Sequence, residues 1–214
     1  MRVLPRSFFG LSQTTLSTMQ RIYVIGTSCS GKTTFAAQLA AKLGIPHTEL
    51  DTLHWLPRWT ERSLDEVTEL VQQVIAQPQW IIDGNYSRTR HLVLDRADTV
   101  LWLNYSFVTT FSRAVRRTIH RSFTRKPVCN GNVETLRKAL FTRDSILWWV
   151  IKTHRSRRRR YSKLFAEPGY AHLRQICFTS PRDAERFLAQ SSGATGDAPP
   201  AAAPHDDVGS RTAR

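Results

Sequence analysis

Nine consecutive residues near the start of the chain have the spacing of a phosphate-binding loop. Gly26-Thr-Ser-Cys-Ser-Gly31-Lys32-Thr33-Thr34 matches the pattern G-x-x-x-x-G-K-[ST]. Glycines let such a loop wrap tightly, so that its N–H groups point at phosphate oxygens. A lysine at position 32 reaches the β- and γ-phosphates, and the hydroxyl of Thr33 is a ligand for Mg2+. We therefore expect a site for ATP and Mg2+. The residues predicted to bind the nucleotide in this loop are Gly26, Ser28, Ser30, Gly31, Lys32, Thr33 and Thr34.

The loop lies between a predicted strand and a predicted helix, as the motif requires. Residues 21–25 form a β-branched run that is typical of a buried parallel strand. Beyond the loop, Phe35, Leu39 and Leu43 recur every four residues, and Gly44 then ends the helix. A chance match in a Gly/Ser turn does not require this order of strand, loop and helix, so we favour the phosphate site.

A carboxylate at the end of a third predicted strand completes the metal site. Trp80-Ile-Ile-Asp83 is an apolar run that ends in aspartate. In P-loop proteins such an aspartate holds Mg2+. Thr33 and Asp83 are therefore the predicted metal-binding residues, and Lys32 and Asp83 are predicted to be catalytic.

Asp51 marks the side of the sheet where an acceptor would bind. It follows the second predicted strand, residues 47–50, and ligands of open α/β sheets bind outside the carboxyl ends of the strands. Asp51 is thus placed to orient an acceptor hydroxyl or to act as its base, although a helix N-cap is an equally good interpretation. Trp55 and Trp59 are predicted to form either a stacking wall for a planar substrate or part of the core.

Three segments besides the P-loop resemble those of a known family. They are Asp51-x-x-x-Trp55-x-Pro57-x-Trp59, Asp83-Gly-Asn-Tyr86 and Gly131-Asn-Val-Glu134. With the P-loop they resemble the adenylate kinase-like P-loop kinases and, more narrowly, the group of DNA topology modulation proteins. The resemblance covers about residues 20–185 and implies a nucleotide kinase-like fold that binds ATP and Mg2+. Adenylate kinases carry Asp-Gly-Phe-Pro-Arg where this chain has Asp-Gly-Asn-Tyr, and Asp51-Thr-Leu-His54 resembles the Asp-x-Leu-His segment of gluconate kinases.

The positive charge of the chain is concentrated in one segment. Residues 113–164 hold 16 basic and two acidic residues, which account for the whole formal net charge of +14. Such a segment attracts phosphate groups or nucleic acid. In kinases of the family that the chain resembles, this segment is a lid whose arginines neutralise the transferring phosphoryl group.

The lid is predicted to begin with one long helix over residues 106–125. Two sets of side chains recur every four residues along it, one apolar and one basic: Phe111, Val115, Ile119 and Phe123, and Arg113, Arg117, Arg121 and Arg125. The two sets are about 200° apart around the helix. We therefore expect the apolar set to dock on the core and the basic set to face a ligand, with Arg116 and Arg125 solvated.

Several of these arginines are predicted to contact phosphate. Arg117 and Arg121 are the predicted catalytic arginines. The resemblance implies phosphate contact for Arg113 at the base of the lid. It implies the same for Arg157 or Arg160 in the helix that returns from the lid.

The predicted fold class is α/β, a three-layer P-loop NTPase fold with a five-stranded parallel sheet and a helical, arginine-rich lid. Residues 1–19 are expected to be a disordered extension or a misassigned start. Residues 20–190 are expected to form the kinase-like domain, with the lid at about 113–164, and residues 191–214 a disordered tail.

The composition excludes several other classes of protein. The longest apolar run, Ile146–Ile151, is too short to span a bilayer, so no membrane partner is expected. The three cysteines are widely separated and form neither a disulfide framework nor a Cys-x-x-Cys metal pair. A reducing cytoplasm is therefore the expected location.

These observations predict ATP- and Mg2+-dependent phosphoryl transfer to a small acceptor, either a nucleotide or a small metabolite. The alternative is an ATP-binding protein that acts on nucleic acid through its basic segment, although the chain has no helix-turn-helix, zinc or RNP signature. The sequence does not determine the acceptor, the preferred nucleoside triphosphate or the oligomeric state.

Overall fold

A parallel sheet covered by helices on both faces organises the chain. The structure, a computed structural model, describes residues 6–7, 18–124, 129–132 and 145–191. Its strands are β1 (Arg6–Ser7), β2 (Arg21–Gly26), β3 (His47–Glu49), β4 (Trp55–Leu56), β5 (Thr60–Glu61), β6 (Trp80–Asp83), β7 (Thr99–Leu103) and β8 (Arg174–Phe178). The parallel sheet has the order β1-β8-β7-β2-β6-β3, and β4 and β5 form a separate antiparallel hairpin.

Helices fill the two layers beside the sheet. They are α1 (Lys32–Leu43), α2 (Leu50–His54), α3 (Leu64–Ile75), α4 (Arg90–Arg96), α5 (Phe107–Thr124), α6 (Ile146–Leu164) and α7 (Pro181–Gln190). Short 3-10 turns lie at Pro57–Trp59, Cys129–Gly131 and Pro168–Tyr170. None of the helices within the described ranges is both long and apolar enough to cross a membrane.

The apolar core consists of one cluster on each face of the sheet. Phe35, Phe178 and Phe187 pack together in the cluster that α1 and α7 cover. Val71 and Tyr161 belong to the cluster on the other face, under α3, α4 and the end of α6. Because helices cover both faces, β6 and β7 are buried along their whole length. The predicted three-layer α/β fold with a five-stranded parallel sheet is confirmed.

One short strand extends this sheet beyond the five that the sequence predicts. Arg6 and Ser7 pair in parallel with Ile176 and Cys177 of β8. The N-terminal extension was not expected to form structure, but the edge of β8 offers unpaired backbone groups that a passing segment can satisfy. Residues 1–5, 8–17 and 192–214 lie outside the described ranges.

The hairpin of β4 and β5 is a second element that the sequence pattern does not predict. Only two residue pairs form it, Trp55 with Glu61 and Leu56 with Thr60. Strands of two residues are too short to show an alternating pattern. The hairpin carries both tryptophans of the predicted acceptor side, Trp55 in β4 and Trp59 in its loop.

We expect Gly84, which turns the chain at the end of β6, to tolerate no side chain. Its φ is +147°, and a Cβ there would lie 2.6 Å from the Cβ of Leu50. Gly84→Ala should therefore lower the free energy of unfolding by about 2 kcal/mol or more. Gly169→Ala is the matched control, because a Cβ at Gly169 would meet nothing within 4 Å. Chemical denaturation of both variants checks this, and equal losses would contradict it.

Candidate functional site

The P-loop folds as a tight turn in which neither glycine can be replaced freely. Gly26 ends β2, and a Cβ on it would lie 2.6 Å from Oγ of Ser30 and 2.9 Å from the carbonyl oxygen of Leu103. Gly31 has φ +89° and is the N-cap of α1. The first turn of α1 contains no acidic residue of its own, and the positive end of the helix dipole faces the loop. These features suit a loop that wraps around phosphate.

A hydrogen bond joins the P-loop to the carboxylate at the end of β6. Thr33 Oγ1 donates to Asp83 Oδ2 at 2.7 Å. The other oxygen, Oδ1, lies 3.0 Å from His47 Nε2. An ionised carboxylate only accepts hydrogen bonds, so Nε2 of His47 would be the donor to Asp83 in its ionised form. Asp83 is 2% exposed, and a buried carboxylate requires such partners.

Thr33 and Asp83 fit the requirements of a magnesium ion. Mg2+ takes oxygen ligands and is usually held by one or two carboxylates together with substrate phosphates and water. The hydroxyl and carboxylate are already side by side next to the loop. Within the described residues, no carboxylate lies within ion-pair distance of Lys32, so its ammonium is available for a phosphate group.

Two polar side chains, Asn85 after β6 and Tyr161 of α6, form a chain of hydrogen bonds to the P-loop. Asn85 Nδ2 donates to the carbonyl oxygen of Gly26 at 2.6 Å, and Tyr161 OH donates to Asn85 Oδ1 at 2.7 Å. Tyr161 belongs to α6, so this chain of hydrogen bonds also anchors the return helix. The Arg90 guanidinium lies 5.2 Å from the centre of the Tyr161 ring.

Two arginines of α5 reach the P-loop directly. Arg113 Nη1 donates to the carbonyl oxygen of Ser30 at 2.8 Å, and its guanidinium stacks on Tyr105. Arg117 Nη1 lies 3.9 Å from the sulfur of Cys29. Arg113 therefore supports the loop, and both guanidinium groups bring positive charge to it.

The face of α5 that is buried differs from the one expected. Ile119, in the predicted docking set, is 52% exposed, whereas Thr110, Ala114 and Thr118 are buried. Ala114 packs with Cys29 of the P-loop and Val150 of α6. Small residues at the contact let α5 lie close to the loop, which brings its arginines within reach. The expectation that the apolar set docks on the core is wrong for Ile119, and the side chain of Phe123 is not described.

The remaining arginine predictions divide between buried and exposed positions. Arg157 of α6 is partly buried, and its Nη1 lies 3.4 Å from Oγ of Ser28. Burial lowers the pKa of Arg157. Arg160 and Arg116 are exposed, and Arg121 is partly buried one turn beyond Arg117. Arg125, the last arginine of the predicted basic set, lies outside the described ranges.

Asp51 and its neighbours form the part of the site that the sequence predicts to be the acceptor side. Asp51 is the second residue of α2 and is exposed, while Glu49 occupies the N-cap. The N-cap interpretation of Asp51 is therefore wrong. The negative charge of Asp51 acts against the lowering of the Arg157 pKa. Asp51 is thus within electrostatic reach of Arg157, the residue of α6 that lies beside Ser28 of the P-loop.

An aromatic cluster stands beside Asp51. The rings of His54 and Tyr86 are 4.5 Å apart, those of His54 and Trp55 are 4.9 Å apart, and those of Trp55 and Trp59 are 5.6 Å apart. Trp59 is 39% exposed and Trp55 is partly buried. The core interpretation of the two tryptophans is wrong, because they lie at the surface of the acceptor side. Thr34, which the sequence predicts to bind the nucleotide, is exposed in the first turn of α1.

Several residues of the site were not predicted. His47 forms a hydrogen bond with the carboxylate of Asp83, and Asn85 donates one to the carbonyl oxygen of Gly26 in the P-loop. Their positions beside strand ends carried a signal, since His47 begins β3 and Asn85 belongs to the Asp-Gly-Asn-Tyr segment. Nothing local in the sequence pointed to Tyr161, which comes from a helix 76 positions later.

We expect the charge of Glu49 to destabilise the protein at neutral pH. Burial, and then the negative charge of Asp83, raises the pKa of Glu49 above its ordinary value. The folded state therefore loses stability as the pH rises from the ordinary value through the raised one. Glu49→Gln should raise Tm at pH 8 without Mg2+ and leave it nearly unchanged at about pH 4, where the carboxyl is largely protonated in both states.

Thermal unfolding at the two pH values measures this effect. Glu69→Gln is the control, because Glu69 is exposed on α3. A Tm difference for Glu49→Gln that is the same at both pH values would show that the charge is not its cause.

Solved structures show limited likeness to this chain. No family model and no curated protein matches it. A gluconokinase from Sinorhizobium meliloti 1021 is 16% identical with a TM-score of 0.46, covering 82% of this chain and 90% of its own. A shikimate kinase from Aquifex aeolicus VF5 is 16% identical with a TM-score of 0.47, covering 79% and 92%. A shikimate kinase from Acinetobacter baumannii, in complex with shikimate, is 15% identical with a TM-score of 0.48, covering 84% and 94%. Conclusions about activity therefore rest on the residues of the site.

Proposed function

We propose that the protein transfers a phosphoryl group from ATP, with Mg2+, to a small-molecule acceptor. The observation that carries this proposal is the 2.7 Å hydrogen bond between Thr33 of the P-loop and the buried carboxylate of Asp83. It places a hydroxyl and a carboxylate together at the start of α1, beside a lysine without a described ion-pair partner. A structural P-loop without nucleotide chemistry has no need of this combination.

On the donor side, the chain's own residues would hold and polarise the triphosphate. Lys32 and the positive end of α1 would bind the phosphate oxygens, and Thr33 and Asp83 would hold the metal. Bound Mg2+ would supply neutralisation of charge between the β- and γ-phosphates. His47 would keep the carboxylate of Asp83 oriented, because it donates to the oxygen that Thr33 does not contact.

At the point of transfer, arginines would stabilise the developing charge. Arg157 reaches Ser28, and Arg117 reaches Cys29, so both stand at the rim of the loop. Partial burial strengthens their interaction with a phosphoryl group because less water screens it. Arg113 would act mainly by holding the loop at Ser30. Arg121 stands one turn further along α5 and is proposed to contribute at longer range.

On the acceptor side, Asp51 would orient the attacking hydroxyl or accept its proton. The surface formed by His54, Trp55 and Tyr86 would hold the rest of the acceptor. The acceptor would bind against α2 and the hairpin of β4 and β5. Donor and acceptor would therefore meet beyond the carboxyl ends of the parallel strands.

Two narrower expectations stay predictions. They are the resemblance to the DNA topology modulation group and a cytoplasmic location. The alternative function, an action on nucleic acid, draws on the exposed basic residues of α5 and α6. The inward arginines do not favour it, because a nucleic-acid surface has no need to direct arginines at the P-loop.

A screen of nucleotides, nucleosides and sugar acids with ATP and Mg2+, following ADP release, tests the proposal directly. We expect one acceptor to stimulate ADP release strongly and its phosphorylated product to appear in equal amount. Stimulation by DNA with no response to any small acceptor would replace the proposal with the alternative.

Lys32→Ala should abolish most of this turnover while the fold is retained. Loss of the charge that meets the phosphates should lower kcat/KM about 100-fold or more. Lys152→Ala is the matched control, because Lys152 is exposed on α6. Initial rates and circular dichroism on both variants measure the effect. Near-normal turnover in a folded Lys32→Ala protein would show that the loop does not bind the donor.

Alanine variants of neighbouring arginines that face opposite ways distinguish a kinase from a nucleic-acid-binding protein. In a kinase, Arg117→Ala and Arg157→Ala should each lower kcat about 100-fold. The exposed neighbours, Arg116→Ala and Arg158→Ala, should change it little. In a nucleic-acid binder that uses the exposed surface, the pattern should reverse: Arg116→Ala and Arg158→Ala should each weaken DNA binding and reduce the salt-dependence slope by about one, whereas Arg117→Ala and Arg157→Ala should change it little. Rates and salt-titrated DNA affinities of the same four variants decide between the two.

A further inference from the structure

A short segment from the lid region is fastened to the acceptor side of the site. Asn130 Nδ2 donates to the carbonyl oxygens of Thr52, at 2.9 Å, and of Trp55. Asn132 Nδ2 donates to the carbonyl oxygen of Leu56 at 3.0 Å, and its Oδ1 accepts from the backbone N–H of Trp59 at 2.7 Å. We call Asn130 and Asn132 the asparagine clasp. Each of these four hydrogen bonds joins a clasp side chain to a backbone group of residues 52–59, so the clasp holds the path of that segment.

The hairpin of β4 and β5 depends on support of this kind. It contains only two residue pairs, and an isolated two-stranded hairpin is marginally stable in water. Leu56 ends β4 and Trp59 is the last residue of the hairpin loop, and the backbone of each bonds to Asn132. Asn132 is 4% exposed. Without its amide, a carbonyl oxygen and an N–H group of the hairpin would each lose one hydrogen bond, which weakens the hairpin.

Both sides of this contact use an unusual backbone conformation. Arg58 and Trp59 have φ of +63° and +57° in the hairpin loop, and Asn130 and Gly131 have φ of +52° and +75° in the clasp. Residues other than glycine reach this region only at a cost, although asparagine tolerates it best. Strained backbone of this kind persists where surrounding contacts hold it, and it is concentrated at functional sites.

The hairpin that the clasp holds is linked to the P-loop. Trp59 packs against Trp55, and Trp55 packs against His54. His54 contacts Tyr86, which follows Asn85, the residue that donates to the P-loop. A displacement of the hairpin would therefore move the aromatic surface relative to the loop that would hold the donor.

We propose that Asn130 and Asn132 are positioning residues of the acceptor site, which hold the hairpin where the acceptor can be bound against the aromatic cluster. This inference rests on the proposed function. The clasp makes no described contact with the P-loop, with Thr33 or with Asp83. Its removal should consequently affect the acceptor and leave the donor side intact. A merely structural asparagine would instead lower overall stability and affect both substrates alike.

Hydrogen exchange tests the physical part of the proposal on the full chain without any knowledge of the acceptor. Asn132→Ala should speed exchange about tenfold in the peptide that covers residues 55–61, where a bond to the Trp59 N–H is lost. Exchange in β7 (Thr99–Leu103) should not change. Ser156→Ala is the control, because the Ser156 hydroxyl bonds only within its own helix. Unchanged exchange over residues 55–61 would overturn the proposal.

Two further variants separate the bonds of the clasp from its backbone conformation. Asn132→Asp can still accept from Trp59 but cannot donate to Leu56, so we expect an intermediate effect. Asn130→Gly keeps the left-handed backbone accessible and removes both amide donors, so it should loosen residues 52–55 in a protein that still folds. If Asn130→Gly exchanges like the wild type while remaining folded, the amide of Asn130 does not hold the hairpin, and the proposal fails for that residue.

Steady-state kinetics test the functional part. With the acceptor found by the screen, Asn132→Ala should raise KM for the acceptor about tenfold and leave KM for ATP within about twofold. The ratio of ADP released to acceptor phosphorylated should also rise, because a poorly placed acceptor lets water compete. Equal changes in both KM values, or none, would overturn the positioning role. If no acceptor exists for the wild-type chain, the proposed function fails, and with it the acceptor role of the clasp, whereas the exchange result still decides whether the clasp holds the hairpin.

Discussion

The hydrogen bond from Thr33 to the buried carboxylate of Asp83 is the constraint on which the rest of the site depends. It joins the start of α1 to the end of β6, two elements that are 50 positions apart in the chain. A carboxylate that is almost fully buried requires partners for both oxygens, and His47 supplies the second. The two neighbouring strands and the first helix are therefore held in one arrangement by a single charge. This arrangement also suits a divalent cation bound with a phosphate chain.

Arginines of α5 and α6 bring positive charge to the P-loop beside that carboxylate, and the packing of the two helices decides which arginines reach it. α5 and α6 pack against each other and against the P-loop through Ala114, Val150 and Cys29. Because these side chains are small or medium in size, the arginines beside them extend over the loop. Arg113 and Arg157 therefore touch the backbone and a side chain of the loop itself. Their neighbours on the outer faces are exposed, so position on the helix decides which arginines contact the loop.

The acceptor side is held together by weaker elements than the donor side. Its hairpin has two residue pairs, its helix has five residues, and its tryptophans lie partly in water. What holds it is contact with other parts of the chain: Tyr86 from the turn after β6 and the asparagines of the clasp. In the proposed kinase, the donor would bind to the part of the site that is built on the central strands. The acceptor would bind to the part that is held by side-chain contacts.

Local patterns in the sequence determined five of the six parallel strands, several helix boundaries and the P-loop. The strands at 80–83 and 99–103 contain the continuous apolar runs 80–82 and 100–103. Ser63 and Glu66, three positions apart, form a capping box at the start of α3, and Gly44 ends α1 in the left-handed conformation. These features depend on residues within a few positions of each other, so they can be read without the fold. The side-by-side placement of Thr33 and Asp83 also follows from topology, because parallel strands bring their carboxyl ends to one edge.

Only the tertiary structure decided which side of α5 is buried, which arginines reach the loop and what holds the acceptor hairpin. The apolar period of α5 pointed to Ile119 as a core residue, yet the P-loop and α6 select the side with Ala114, since close approach of the backbones needs small residues there. His47, Asn85, Tyr161 and Asn132 act through hydrogen bonds to groups 36 to 76 positions away. No local period encodes such partners. They are determined by the packing of the whole domain, because a buried polar group must find whatever partner the fold brings to it.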